Sequence, residues 1–317
     1  MKVIDHIKNA ERTLFTLELL PPLKGETIET IYQAIDPLIG FSPSYINVTY
    51  HREEVVYKPQ SNGLLERQVV RKRPSTVAIA SAIRFKYGID VVPHMICGGF
   101  SPRETEDGLI DLHFLGIDNV LALRGDAPKQ DKSFVASKGG HIHATDLVKQ
   151  ISRLNKGIYL EEELLQPSPT NFCVGVAGYP EKHGESPNLE TDLRYLKEKV
   201  DAGADYIVTQ LFYDNSKFFA FVEKCRQIGI TVPIIPGIKP ISVKNHLTIL
   251  PKTFNIDIPE DLVTAVDACK DNSMVREVGV EWAIQQSKEL MQFGVPAIHF
   301  YTMGKPDNIC KIAKAIF

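Results

Sequence analysis

The chain has little with which to build a disulfide-stapled, zinc-knuckle or membrane-spanning protein. Its five cysteines are Cys97, Cys173, Cys225, Cys269 and Cys310. The count is odd, the spacing is wide and no C-x-x-C occurs, so most are expected to be buried, reduced thiols. No run of ~18 apolar residues is present, which leaves no candidate membrane helix. The opening "MKVIDHIKNAERTLF" is charged and amphipathic and lacks the apolar core of a signal peptide, so the expected location is cytoplasmic. Neither sign of charge is in excess, the formal net charge being −3. The nearest thing to a basic block, "ERQVVRKRP" at 66–74, mixes signs and reads as a solvated loop or helix start, so no nucleic-acid surface is expected. There is no low-complexity linker and no repeat longer than a β–α unit.

What is present is one rhythm from end to end. Short apolar runs, rich in Val, Ile and aromatics, recur at 14–20, 45–50, 90–97, 119–125, 172–178, 206–212, 232–238 and 297–301. Bounded by Gly, Pro, Asp or Asn, they read as strands of a parallel sheet buried on both faces. Amphipathic stretches lie between them, around 74–88 and at 101–116, 188–204 and 216–229. In 188–204, Leu189, Leu193, Leu196 and Val200 recur every three or four residues with charges between them, as one helical face requires. Eight β–α units make either a closed barrel or a doubly wound sheet. No G-x-G-x-x-G follows an early strand, so the sheet reading loses weight and a (β/α)8 TIM barrel is expected over 1–317, as one domain. Two excursions break the rhythm, at 126–143 and 156–171. The first leaves the C-terminal rim, where this fold carries its active sites.

The chemistry is therefore expected at strand ends. Glu18 stands in an apolar run between Leu17 and Leu19 and before Pro21–Pro22. Burial there would raise its pKa, as a general acid requires; the other reading is an exposed glutamate on an edge strand. Thr49, His94, Asp126 and Gln210 hold equivalent positions at the ends of the second, third, fourth and sixth strands. Each alone is compatible with a satisfied core or cap group, while four on one rim favour a binding site. In "LRGD", Arg124 offers a fork for a phosphate and Gly125 a close backbone approach. Tyr179, on the loop after the fifth strand, is placed to cover an aromatic ring or simply to pack the rim. His141 and His143 have no acidic or cysteine partner in the sequence, so no metal is expected, and His6 and His113 read as surface groups.

Taken together, "FTLELLPP" at 15–22, "INVTY" at 46–50, "VPHMIC" at 92–97, "ALRGD" at 122–126, "VAGYPEKH" at 176–183, "KVDAGADYIVTQLFYD" at 199–214, "IIPGIKPI" at 234–241 and "HFYTM" at 299–303 resemble the catalytic domain of methylenetetrahydrofolate reductases. The likeness runs the length of the chain in order. It implies a (β/α)8 barrel holding FAD without a covalent bond. It also implies ping-pong reduction of 5,10-methylenetetrahydrofolate to 5-methyltetrahydrofolate by NADH or NADPH, in one-carbon metabolism and methionine synthesis. Glu18 matches the acid that assists opening of the substrate's five-membered ring, and Asp126 a residue near both flavin and pterin. Thr49, His94, Arg124, Gly125, Asp126, Ala144, Tyr179, His183, Asp192 and Lys199 match positions that line FAD. Gln210 matches a contact to the pterin or nicotinamide, and Lys305 a basic residue for the glutamyl carboxylate. Lys244 stands where relatives carry an aromatic that helps hold the folate or the nicotinamide cofactor. The resemblance further implies a homo-oligomer, and the chain's end after its eighth helix implies that the S-adenosylmethionine-binding domain of larger eukaryotic members is missing. A flavin barrel that oxidises an amino acid, a folate or corrinoid methyltransferase and a non-catalytic folate-binding protein are the competing readings.

Overall fold

The computed structural model describes residues 1–127 and 133–317. In chain order the elements are α1 (Val3–Lys8), β1 (Leu14–Leu19), α2 (Glu29–Ile35) with a 3-10 turn at Asp36–Phe41, β2 (Tyr45–Val48), β3 (Glu54–Pro59), β4 (Leu65–Val70), α3 (Thr76–Tyr87), β5 (Asp90–Ile96) and α4 (Pro102–Phe114). They continue with β6 (Asn119–Leu123), α5 (Ala144–Leu154), β7 (Cys173–Gly178), α6 (Leu189–Asp201), β8 (Tyr206–Leu211), α7 (Asn215–Gln227), β9 (Ile234–Ile238), α8 (His246–Phe254), α9 (Glu260–Asp267), α10 (Asn272–Phe293), β10 (Ala297–Tyr301) and α11 (Asp307–Ile316). Every strand but β3 and β4 joins a closed parallel barrel, in the order β1-β2-β5-β6-β7-β8-β9-β10 and back to β1. These eight strands are the eight apolar runs, and the barrel is the (β/α)8 fold expected from them.

Alternation along each strand sorts side chains into two cores. Phe15, Leu17, Ile46, Val48, Val120, Ile207, Ile298 and Phe300 face outward into the layer shared with the helices. Tyr45, Val92, Leu121, Tyr206, Val208, Ile235 and Ala297 fill the interior. The interior is closed at its N-terminal end by α1, whose Val3 is fully buried against that inner group. Asn119 accepts from the Val3 N–H at 2.8 Å, and His6 Nε2 lies 2.9 Å from Asp90 Oδ2. His6 is thus half-buried, not a surface group; helix docking at the barrel floor decides this. His113 is half-buried too, in ring contact with Phe114 and Phe172.

Local signals explain where the helices start. Ser101 and Glu104 form a reciprocal capping box on α4, Asn188 caps α6 through the Thr191 N–H, and Asp214 caps α7 through Ser216. Each satisfies donors that the first turn leaves open. The segment at 66–74 departs from expectation. Leu65–Val70 is a strand, paired antiparallel with Glu54–Pro59 across the Gln60–Leu64 turn. Its exposed apolar and charged residues are those of a two-stranded ribbon, which has no core face to impose a clean pattern. The second excursion, 156–171, leaves and returns at the N-terminal end, from α5 to β7, and packs along α4 between, where the Leu160 N–H donates to Glu106 at 2.9 Å. The first lies at the C-terminal rim, with 128–132 outside the described residues.

Candidate active site

Glu18 projects inward from β1 at the barrel's C-terminal mouth, continuing the inner row that begins at Leu14 and Thr16. A closed barrel has no edge strand, so the edge-strand reading falls; the carboxylate is 14% exposed. Its Oε2 lies 3.5 Å from His94 Nε2 and 3.6 Å from His299 Nε2. Both imidazoles are buried, and neither Nε2 has a hydrogen-bond partner among the described residues. Thr16 Oγ1 donates to the Ile298 carbonyl at 3.1 Å. Thr16 Oγ1 also lies 3.3 Å from His299 Nδ1, which turns His299 Nε2 toward Glu18.

The electrostatics correct one expectation. Burial does raise the Glu18 pKa, but the His299 and His94 imidazoles, with His51 farther out, outweigh it and hold the carboxyl below the usual glutamate value. Counting apolar neighbours along the strand misses this, because the histidines arrive from other strands. Burial pushes His94 down to about 4, against the pull of Glu18. The two shifts share one contact, and we take the carboxylate with a neutral His94 as the resting state near neutrality.

The other expected residues surround this centre at different depths. Thr49, just past β2, has a buried hydroxyl with no hydrogen-bond partner among the described residues. Gly125 has φ +84°, and a Cβ there would meet Ile96 Cδ1 at 3.3 Å, so the turn after β6 requires glycine. Asp126 is exposed at the rim, with His51 among the groups that feel its charge. Ala144 opens α5. Gln210 ends the inner row of β8, its Oε1 accepting from the Leu211 N–H at 2.9 Å.

Arg124 forms a two-pronged pair with Glu185, at 2.6 and 2.9 Å, and its guanidinium lies 5.0 Å from the Phe134 ring centroid. Tyr179 and His183 meet edge to face at 4.8 Å. Asp192 and Lys199 lie beneath that loop. Asp192 accepts from the His183 N–H at 3.1 Å and from Ser186 Oγ at 2.7 Å. Lys199 donates to the Ala177 carbonyl at 2.5 Å, and burial pushes its pKa down to about 8 against the pull of Asp192.

Two expected positions stand apart. Lys305 is exposed beyond β10. Lys244 is tied away from the mouth, its Nζ donating to the Asp267 carbonyl at 2.9 Å. His141 bonds Gln150, and among the described residues no group of three or more His, Cys, Asp or Glu is placed to hold a metal. All five cysteines are free thiols. A surface groove of about 470 Å³ between α4 and 159–168 contains none of the expected site residues.

Four residues of the site were not anticipated: His299, Tyr301, Lys239 and Glu185. The first three share the inward parity of their strands with Glu18 and Gln210, and that parity is a readable signal. Glu185 is placed by a loop, for which periodicity offers none.

Methylenetetrahydrofolate reductase (NADH) 1 of Arabidopsis thaliana is 34% identical over 316 residues, covering 96% of this chain and 48% of the relative. The 5,10-methylenetetrahydrofolate reductase of Escherichia coli is 30% identical over 293 residues, 92% of this chain and 86% of the relative. The chain thus spans about half the length of the plant relatives it matches. A Clostridium thermocellum protein described as binding two copies of 5-methyl-5,6,7,8-tetrahydrofolic acid superimposes with a TM-score of 0.60 at 17% identity, covering 99% of this chain and 97% of that one; this likeness is one of fold. Residues 2–316 match the methylenetetrahydrofolate reductase family as a whole, and the chain belongs to that family.

Proposed function

We propose that this protein reduces 5,10-methylenetetrahydrofolate to 5-methyltetrahydrofolate, with NADH or NADPH as donor and FAD as carrier in a ping-pong cycle. The observation that carries this reading is Glu18: a carboxylate sunk in the mouth of a family barrel, faced by two buried imidazole nitrogens that nothing else among the described residues satisfies. Such orphaned groups cost free energy in a protein that has no use for them.

The residues present fit FAD. Thr49 Oγ1 and His94 Nε2 are buried donors or acceptors without partners. The start of α5 at Ala144 offers open N–H groups of the kind that hold phosphates, and the Arg124 fork already binds one anion, Glu185. Thr49, His94, Arg124, Gly125, Asp126, Ala144, Tyr179 and His183 would hold the cofactor. Asp192 and Lys199 would fix the loop that carries Tyr179 and His183. Bound FAD supplies two-electron transfer between donor and substrate.

What the chain itself supplies is placement and a proton. At rest Glu18 is a carboxylate. A ring seated over the mouth displaces the water at its exposed edge, and that desolvation drives its pKa back up. His299, held beside Thr16, presents Nε2 to Glu18, and Glu18 takes its proton from solvent at its exposed edge before the ring covers it. Glu18 then donates to the substrate's ring nitrogen as the carbon–nitrogen bond opens. Gln210 and Asp126 orient the ring, and Lys305 attracts the glutamyl carboxylate. A homo-oligomer and a cytoplasmic location complete the reading.

The test is the absorbance spectrum of the purified protein, followed by anaerobic addition of NADH. A flavin spectrum that bleaches supports the reading and argues against the flavin-free alternatives. A colourless protein that takes up no added FAD removes it.

A further inference from the structure

Lys239 immediately follows β9 and continues that strand's inner row. Ile235 belongs to the inner core. Gly237 faces the same way, since a Cβ there would lie 2.7 Å from the Tyr301 ring. Lys239 is the next inward position. Ile238 pairs with Phe300, Phe300 with Leu17 and Tyr301 with Glu18, so Lys239 stands level with Glu18, two strands away.

Its surroundings leave the ammonium free. Lys239 is half-buried, yet among the described residues its ammonium has no hydrogen bond and no ion pair. Nζ is not fully buried, so it keeps some exposed surface. Burial lowers its pKa and Glu18 raises it. After burial, the groups that act most on Glu18 are His299, His94 and His51, while Glu18 is the charge that acts on the lysine without pairing with it. His246 nearby is no acceptor for it either, since its Nδ1 already accepts from the Ser242 N–H at 3.2 Å. Lys244, five residues on, is spoken for by Asp267. One strand away on the other side is Gln210.

We propose that Lys239 is the anchor for the carbonyl oxygen of the ring that stacks in the mouth, working with Gln210 on an amide-like edge, C=O beside N–H. Gln210 both donates and accepts, while an ammonium only donates. The pair therefore selects a ring whose oxygen faces Lys239. Two ligands of the proposed reaction carry that edge, the 4-oxo lactam of a pterin and the carboxamide of a nicotinamide, and the inference rests on that reaction. An aliphatic residue at this position would leave the oxygen unpaired and the ring unselected.

Equilibrium binding to the full protein tests this with two pairs of redox-inert probes: folic acid against aminopterin, which replaces the 4-oxo group by an amine, and NAD⁺ against its thionicotinamide analogue. Lys239→Met is expected to weaken folic acid, NAD⁺ or both by about tenfold or more, the scale of a hydrogen bond to a charged donor. The oxygen-free partner of the affected pair should bind as before, and the affected pair identifies the ring. Lys239→Arg should keep most of the preference, and Lys239→Gln serves if the methionine variant melts early. Folic acid and NAD⁺ affinities within twofold of wild type in a folded Lys239→Met protein overturn the inference and leave the proposed reaction standing. Wild-type protein that binds neither folic acid nor NAD⁺ removes the reaction and the inference together.

Discussion

At the scale of single residues, Glu18 divides the proposed reaction in two. Passing hydride from NADH to a flavin needs no proton on a leaving nitrogen, whereas opening the folate ring does. Glu18→Gln keeps the shape and loses the acid, so stopped-flow should show flavin reduction by NADH at a comparable rate. Folate reduction should fall by a factor of ~10² or more. Parental folate reduction in the variant would make Glu18 a structural carboxylate and move attention to Asp126. Glu18 must carry a proton to act, and its protonated fraction shrinks as pH rises, so the folate half-reaction should slow toward alkaline pH and lose that dependence in Glu18→Gln. Lys199 acts one layer down. With Lys199→Ala, the Ala177 carbonyl loses its donor and the loop above loses support. FAD should then leave more readily on dilution, followed by the recovery of flavin fluorescence, with the circular dichroism spectrum unchanged. Equal FAD retention would reduce Lys199 to a packing residue.

Among elements, α10 seats directly on the segment after β9, two residues beyond Lys239. An ideal Cβ at Gly279 would lie 1.9 Å from the Ile241 carbonyl oxygen, so helix and loop touch backbone to backbone. In an exposed helix, Gly→Ala gains up to ~1 kcal/mol. Here the methyl group meets backbone that cannot step aside, and overpacking of this kind costs ~1–3 kcal/mol or more. Gly279→Ala is therefore expected to lower unfolding stability by ~2 kcal/mol in urea titrations and to weaken ligand binding at the mouth. A gain in stability would show that α10 shifts freely. The β3–β4 hairpin is the opposite case, a ribbon outside the barrel ladder with mostly exposed side chains.

For the molecule as a whole, the N-terminal end of the barrel is closed by charge as well as by Val3. Asp90 opens β5 and lies 2.8 Å from Arg84 Nη1, 2.9 Å from His6 Nε2 and 2.8 Å from the Met1 amino group. Burial raises its pKa, but the hydrogen bonds from His6, the amino terminus and Arg84, with the charge of the amino terminus, prevail and hold it well below the usual aspartate range. A carboxylate depressed in the folded state contributes stability above its unfolded pKa of about 4, and loses it as pH falls from there toward the folded value. Asp90→Asn should thus cost ~2 kcal/mol at pH 7, the scale of a partly buried charged network, and the gap to wild type should close below about pH 4. A pH-independent difference in urea midpoints would assign the loss to packing.

Much of this was legible along the chain because barrel strands are short, apolar and punctuated. All eight runs became strands, and Glu18, Thr49, His94 and Gln210 could be ranked at strand ends before any contact was known. Residue order also carried the family resemblance, since the matching segments keep their sequence from end to end. It did not carry what crosses strands. His299 reaches Glu18 from the other end of the chain and reverses the direction of its pKa, and Lys239 becomes level with both only through the register of β9, β10 and β1. Arg124 meets Glu185 across a loop with no period to read. Local pattern determines which residues face inward. Barrel closure alone decides which of them meet, because closing the sheet brings the first strand beside the last, and electrostatics depends on that distance in space.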